Sequence, residues 1–255
     1  MNLLEVENLS VRYGSFQALS GVSFSVPEGS WLMIVGPNGA GKSTIINALS
    51  RGVGYSGSIF LNGREIRSIR PDAAAREVGV LRQTHSVGLG FTVEEVVRLG
   101  RYAYGRRSPF SSPNEKDAEI VENALITTGL AELRDHSVLT LSGGELQRTF
   151  LAQVLAQDPK LVLLDEPVNH LDLLYQKQVM ALMSGWMRKK GRAVVSVIHD
   201  LSLAKAYGTD ALLMNGGKVA AWGKKETVLT EDNLNGAYGM DVFEWNRGLF
   251  AQWTN

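Results

Sequence analysis

The sequence predicts an α/β fold, with a mostly parallel central sheet, an antiparallel β subdomain and an inserted helical subdomain. Three observations predict it. Near the start, the alternating runs Leu4-Glu5-Val6-Glu7 and Val22-Ser23-Phe24-Ser25-Val26 lie between Gly and Pro residues and read as antiparallel strands. The continuous apolar run at Trp31–Val35 reads as a strand covered on both faces, Leu161–Leu164 and Val194–Ile198 read as two more apolar strands, and the helical pattern from Leu173 to Lys190 between these two argues for parallel pairing. From about Phe91 to Asp158 the stretches Thr92 to Arg101, Lys116 to Thr128 and Glu145 to Gln157 carry apolar residues at helical spacing, with no strong strand among them. The expectation is a single domain over 1–255, in which 1–90 and 159–255 form the α/β core with its β subdomain and 91–158 the helical subdomain.

At 255 residues the chain has ample length to bury a core, and too little for two full-sized independent domains. Its 26 basic and 26 acidic side chains balance, so no global field draws it to nucleic acid or to an anionic membrane. The absence of cysteine excludes disulfides, thiolate metal sites and a cysteine nucleophile, and agrees with a reducing cytosol. The opening MNLLEVENLS has two acids and no long apolar run, so neither a signal peptide nor a membrane span is expected there.

In chain order, Tyr13 is the first candidate, an aromatic that could stack on a nucleobase or pack into the core. The run Gly36-Pro37-Asn38-Gly39-Ala40-Gly41-Lys42-Ser43-Thr44 then follows the WLMIV strand and precedes a helical pattern from Ser43 to Leu49. This is the full phosphate-loop pattern in its strand, loop, helix context, and it predicts a P-loop NTPase core. Its glycines let backbone N–H groups converge on phosphate oxygens, Lys42 supplies a charge to the outer phosphates, and Ser43 is suited to ligate Mg²⁺. Gln83, after the apolar Val78 to Leu81, is a neutral amide suited to Mg²⁺ and the attacking water, with a surface glutamine as the plain alternative.

Leu141-Ser142-Gly143-Gly144-Glu145 opens an amphipathic helix and so forms a second anion-binding helix start, against the alternative of a simple N-cap. One nucleotide has no need of two such starts about a hundred residues apart, which points to a nucleotide held by another subunit. At the end of the Leu161–Leu164 run, Asp165 is suited to hold Mg²⁺ through water and Glu166 to act as general base. His199, past the Val194–Ile198 strand, is placed as a hydrogen-bonding group toward the terminal phosphate. His85, His136 and His170 share no metal spacing; His85 and His136 read as structural, and Trp31 as core. The tail alternates short strands around Asn215-Gly216-Gly217 and ends in a polar, aromatic stretch.

Taken together, GPNGAGKST, Gln83, LSGGE, LLDEP, NHLD and His199 closely resemble the ATP-binding subunit of ABC transporters. The resemblance spans most of the chain. It implies a head-to-tail homodimer with two MgATP between one subunit's phosphate loop and the other's LSGGE loop. It also implies two transmembrane permease subunits, a substrate-binding protein reached through them, and a peripheral location on the cytoplasmic face of the plasma (inner) membrane. By the same resemblance Tyr13 stacks on adenine, Gln83 couples the site to the permease, Ser142 to Glu145 form the signature loop and Glu166 is the catalytic carboxylate. His199 is then the switch histidine and Asp172 belongs to the loop at the dimer interface. Val168 stands where many relatives have Thr, and Asn169-His170 where many have Ser-Ala; neither change removes a catalytic group.

FTVEEVVRLGRY (91 to 102), HDLSLAKAYGTD and AYGM are more narrowly similar to ATPases serving importers of iron-siderophores, haem and vitamin B12. A soluble ABC-type ATPase assisting iron–sulfur cluster assembly is the alternative. The chain has one ATP-binding unit, unlike translation-type relatives, and lacks the long heptad insertion of the DNA-repair type.

Overall fold

A computed structural model describes residues 1–82, 90–104, 115–169 and 171–253, so Gln83, His85 and His170 lie outside the described residues. The chain divides into two units, Met1–Arg67 with Val195–Asn255, and Ser68–Val194.

The first unit begins with two long strands, β1 (Asn2–Tyr13) and β2 (Phe16–Pro27), paired antiparallel with Val6 opposite Phe24 and Tyr13 opposite Phe16. Alternation, stepped by a register shift between Val6 and Leu9, buries Leu4, Val6, Leu9 and Val11 of β1. β3 (Trp31–Val35) is buried at every residue, as its unbroken apolar run predicts, and leads through the glycine loop into α1 (Lys42–Leu49). β4 (Ser56–Leu61) and β5 (Arg64–Glu65) complete an antiparallel sheet in the order β2-β1-β4-β5.

The second unit holds α2 (Pro71–Glu77), β6 (Val78–Leu81), α3 (Val93–Leu99), α4 (Glu115–Thr127), α5 (Gly143–Gln157), β7 (Leu161–Asp165) and α6 (Leu173–Met187). β6 and β7 run parallel in register from Val78 opposite Leu161 to Leu81 opposite Leu164. The helices share a core of their own, in which Val93, Val97, Leu125, Leu130, Ala152 and Ala156 are fully buried. Thr92 starts α3 with a reciprocal capping box to Glu95, and Arg101 ties α3's C-terminal side to Asp117 of α4 at 2.8 Å.

β8 (Ala193–Val197) passes from the second unit into the first. It is followed by α7 (Leu201–Tyr207), β9 (Asp210–Asn215), β10 (Lys218–Lys224), α8 (Lys225–Val228), α9 (Glu231–Tyr238) and α10 (Val242–Ala251). Within the first unit the strand order is β10-β9-β3-β8, and within the second β8-β7-β6. β3 and β9 are parallel, and β9 and β10 antiparallel around Gly216-Gly217. Trp31 is fully buried and donates its indole N–H to Ser196 Oγ at 2.7 Å. The final polar, aromatic stretch, to which the sequence reading assigned no element, folds as α8, α9 and α10. Thr230 and Asp241 cap the last two, and Gly239 closes α9 at φ 69°.

Candidate active site

In the first unit the phosphate loop is clamped by its own surroundings. A Cβ on Gly36 would lie 2.1 Å from the Met214 carbonyl oxygen, and one on Gly41 would lie 2.6 Å from Leu19 Cδ2 and 2.8 Å from the Ala18 oxygen. Both positions also have φ in the left-handed half, at 141° and 93°, so glycine is required twice over. Lys42 is buried, and its ammonium donates to the carbonyls of Gly36 (2.8 Å) and Pro37 (2.9 Å), closing the loop into a ring. α1 has no side-chain cap and no acid in its first turn. Its positive end is thus left to an external anion, and the loop fits a polyphosphate. Asn38, Gly39, Ala40, Ser43 and Thr44 complete the arc, with Ala40 N–H donating to Pro37 O at 3.2 Å.

Three further groups belong to the same unit. Ile198 N–H donates to Ile34 O at 3.1 Å, which anchors the segment carrying His199 to the strand that ends in the loop. Gly36 N–H donates to the Tyr238 hydroxyl at 3.2 Å, so α9 braces the loop's first glycine; burial pushes the Tyr238 hydroxyl's pKa up, with the Gly36 bond opposing. Tyr238 was not foreseen, because nothing local marks a tail tyrosine as a partner of residue 36. Tyr13 is 47% exposed at the end of β1, which removes the core-packing alternative; Phe16, its cross-strand neighbour, is also exposed.

The second unit brings together the remaining described candidates. Asp165 ends β7 and Glu166 follows it, both buried. Glu166 has φ 54°, a conformation uncommon for a residue with a side chain. Its carboxylate accepts a hydrogen bond from the Asn169 amide, and its carbonyl accepts from Asn169 N–H at 3.3 Å. Sequence reading noted Asn169 only as a departure from relatives; a side-chain amide three residues after an acid was the available signal. Ser142 caps α5 in a reciprocal box: Glu145 Oε2 accepts from Ser142 N–H (2.8 Å) and Oγ–H (2.7 Å). Those two bonds, the hydroxyl first, hold the Glu145 carboxyl below its ordinary range. A Cβ on Gly143 would meet nothing within 4 Å and one on Gly144 only Leu171 at 3.5 Å, so the chain itself leaves room there. Asp172 caps α6, accepting from Tyr175 N–H at 2.9 Å, and is followed by the exposed Leu173 and Leu174. His136 is exposed, and its carbonyl accepts from Val93 N–H at the start of α3.

The family model described as ABC transporter matches residues 19–169, more than half of the chain. The chain belongs to the ABC transporter family. This ABC chain is 35% identical over 243 residues to the iron(3+)-hydroxamate import ATP-binding protein FhuC of Bacillus subtilis, covering 95% of this chain and 90% of that one. It is 39% identical over 246 residues to the hemin import ATP-binding protein HmuV of Pseudomonas entomophila, covering 94% of each. It is also 38% identical to the ABC transporter ATP-binding protein YvrA of Bacillus subtilis, covering 94% of this chain but spanning only 54% of that protein's length. The solved ADP conformation of an ATP-binding cassette of an ABC transporter superposes with a TM-score of 0.81 at 25% identity, covering 93% of this chain and 98% of that one. The ABC chain is an ATPase of the class that couples hydrolysis to transport. Among the described residues no helix is long and apolar enough to cross a membrane.

Proposed function

We propose that this chain is the motor subunit of an importer that takes up an iron-siderophore or haem through a membrane permease. The names of its relatives favour this cargo class over the soluble iron–sulfur alternative. Vitamin B12, expected from the narrower resemblance, has no counterpart among the relatives named above. The subunit works as a head-to-tail homodimer with two permease subunits and a substrate-binding protein, peripheral to the cytoplasmic face of the membrane.

The observation that carries the half-site reading is the contrast between two helix starts. α1 begins without cap or acid beside a buried lysine, whereas α5 begins with a capping serine and two glycines, of which Gly143 faces open space and Gly144 meets only Leu171. The first suits a phosphate held by its own chain; the second suits one brought by a partner. In this reading Tyr13 stacks on adenine and Gly36 to Thr44 cradle the phosphates. Ser142, Gly143, Gly144 and Glu145 close over the partner's nucleotide, and Asp172 lies in the dimer-interface loop. Lys42 neutralises charge developing on the outer phosphate oxygens. Glu166 takes a proton from the water that attacks the terminal phosphorus as the bond to the bridging oxygen breaks, and His199 holds the departing phosphate. Ser43, Asp165 and Gln83 would hold Mg²⁺, whose chemistry is charge neutralisation across the outer phosphates. Gln83 and the helical segment 91–158 transmit closure to the permease.

Glu166→Gln keeps the shape and removes the base. It should lower turnover by about 10²- to 10⁴-fold while ATP binding persists, and should accumulate a closed dimer on a sizing column in ATP. Turnover at the parent rate would sink the assignment.

A further inference from the structure

Within the first unit, the phosphate loop is held by residues from the far end of the chain. Met214, near the end of β9, brings its carbonyl oxygen so close to Gly36 that no side chain fits between them. Gly217, in the turn between β9 and β10, donates its N–H to Ala40 O at 3.3 Å, while its own carbonyl accepts from Ser20 N–H at 2.9 Å. A Cβ on Gly217 would lie 2.7 Å from the Ala18 oxygen, and φ there is 75°, so this turn is fitted closely between the loop and β2. The third hold is the Tyr238 hydroxyl, at the last residue of α9, which accepts from Gly36 N–H at 3.2 Å. All three residues lie past 19–169, the stretch that the family model matches, so the family match assigns them no role.

Of the three, Tyr238 bears most directly on the nucleotide. Gly36 is buried, its N–H goes to Tyr238, and its carbonyl accepts from the Lys42 ammonium at 2.8 Å. One residue therefore links α9 to the cation that serves the outer phosphates. At φ 141° Gly36 holds a conformation that glycine alone takes readily, and glycine is also the residue with the most freedom to leave it. A fixed acceptor on its N–H restricts that freedom before any ligand arrives. Ordering a loop during binding lowers affinity, and a loop ordered in advance is spared that loss. The ring of Tyr238 could pack α9 against the sheet without a hydroxyl, so the hydroxyl is the part of the side chain that packing leaves unexplained.

We propose that Tyr238 is a positioning residue for the phosphate loop. Its hydroxyl fixes Gly36, and through it the carbonyl that seats Lys42, in the arc that takes the outer phosphates of ATP. The tail helix α9 is thereby part of the nucleotide-binding apparatus, although it contributes no group to the nucleotide itself. This rests on the reading of Gly36 to Thr44 as the phosphate cradle, and does not depend on the cargo.

Tyr238→Phe keeps the ring on α9 and removes the acceptor. The full-length chain is titrated with MgATP and, separately, with AMP, which carries the same base, ribose and first phosphate but no outer ones. Affinity for ATP should fall about tenfold, on the scale of one buried donor losing its acceptor, and affinity for AMP should stay within about twofold. Amide hydrogen exchange gives a second reading: Gly36 N–H should exchange about tenfold faster in the variant, while the amides inside β3 keep their parent protection. A purely structural Tyr238 would change both affinities together or neither. Parent affinity for ATP, an equal loss of ATP and AMP, or unchanged exchange at Gly36 would overturn the proposal. Lys42→Ala controls for the reading beneath it. If that variant binds ATP as the parent does, the phosphate cradle is misassigned and the proposal falls with it. If it loses ATP while Tyr238→Phe does not, the cradle stands and only the role of Tyr238 is rejected.

Discussion

Glu166 sits at φ 54°, where a residue with a Cβ is costly to hold, and its carboxylate is gripped by the amide of Asn169. The two features together fix the direction of one carboxylate at the end of β7. The motif LLDEP made the acid legible in the sequence; its unusual backbone and its amide partner were not, because both depend on the turn that follows. Under the proposed function, Asn169 is then a positioning residue for Glu166. Asn169→Ala should lower kcat by about 10- to 100-fold through a looser base while leaving the KM for ATP near the parent value. Steady-state kinetics over a range of ATP concentrations check this. A variant whose loss lies wholly in KM would show that Asn169 serves nucleotide binding instead. Tyr13 taught the opposite lesson, since sequence left stacking and core burial both open and exposure alone removed the second.

Among the elements, the strands of the parallel region were legible because unbroken apolar runs such as Trp31–Val35 and Leu161–Leu164 have no reading other than burial on both faces. The three helices of the 91–158 segment were legible from their spacing, which the shared core explains: Val93, Val97, Leu125 and Ala152 recur so as to face one another. α9 was not legible. It contains Asn235-Gly236, a dipeptide that ordinarily marks a turn, yet the Thr230 cap, the buried Leu234 and the left-handed Gly239 at its end override that local preference. α10 was missed for another reason, since it buries only Val242 and leaves Trp245, Leu249 and Phe250 exposed, so no apolar stripe points inward. The helical core yields a direct expectation. Leu125→Ala removes a fully buried side chain on α4 and should cost about 2–5 kcal/mol, read as a lower denaturant midpoint at unchanged slope. A cost within about 0.5 kcal/mol, the range of an ordinary surface change, would mean that α4 does not depend on this core.

At the scale of the molecule, the candidate groups fall into two sets carried by two units of one chain. Gly36 to Thr44, Tyr13 and His199 belong to the first, and Asp165, Glu166, Ser142 to Glu145 and Asp172 to the second. Under the proposed function each nucleotide needs the phosphate loop of one copy and the Ser142 loop of another, so the active species has two chains and its abundance follows mass action. Specific activity of the purified chain at fixed saturating MgATP should therefore rise with protein concentration, and total rate should grow as about the square of concentration while monomer dominates. ATP binding per chain should stay constant over the same range, because the phosphate loop, its buried Lys42 and the uncapped start of α1 are present in every copy. Mixing provides the sharper form of the test. Ser142→Arg blocks the α5 start with a bulky side chain, and Lys42→Ala removes the phosphate-loop cation; each alone should be nearly inactive. Combined, they should recover a fraction of parent activity, since one mixed arrangement pairs an intact phosphate loop with an intact Ser142 loop. Linear rates at every concentration, together with no recovery on mixing, would place a complete site within a single chain and reject the dimer.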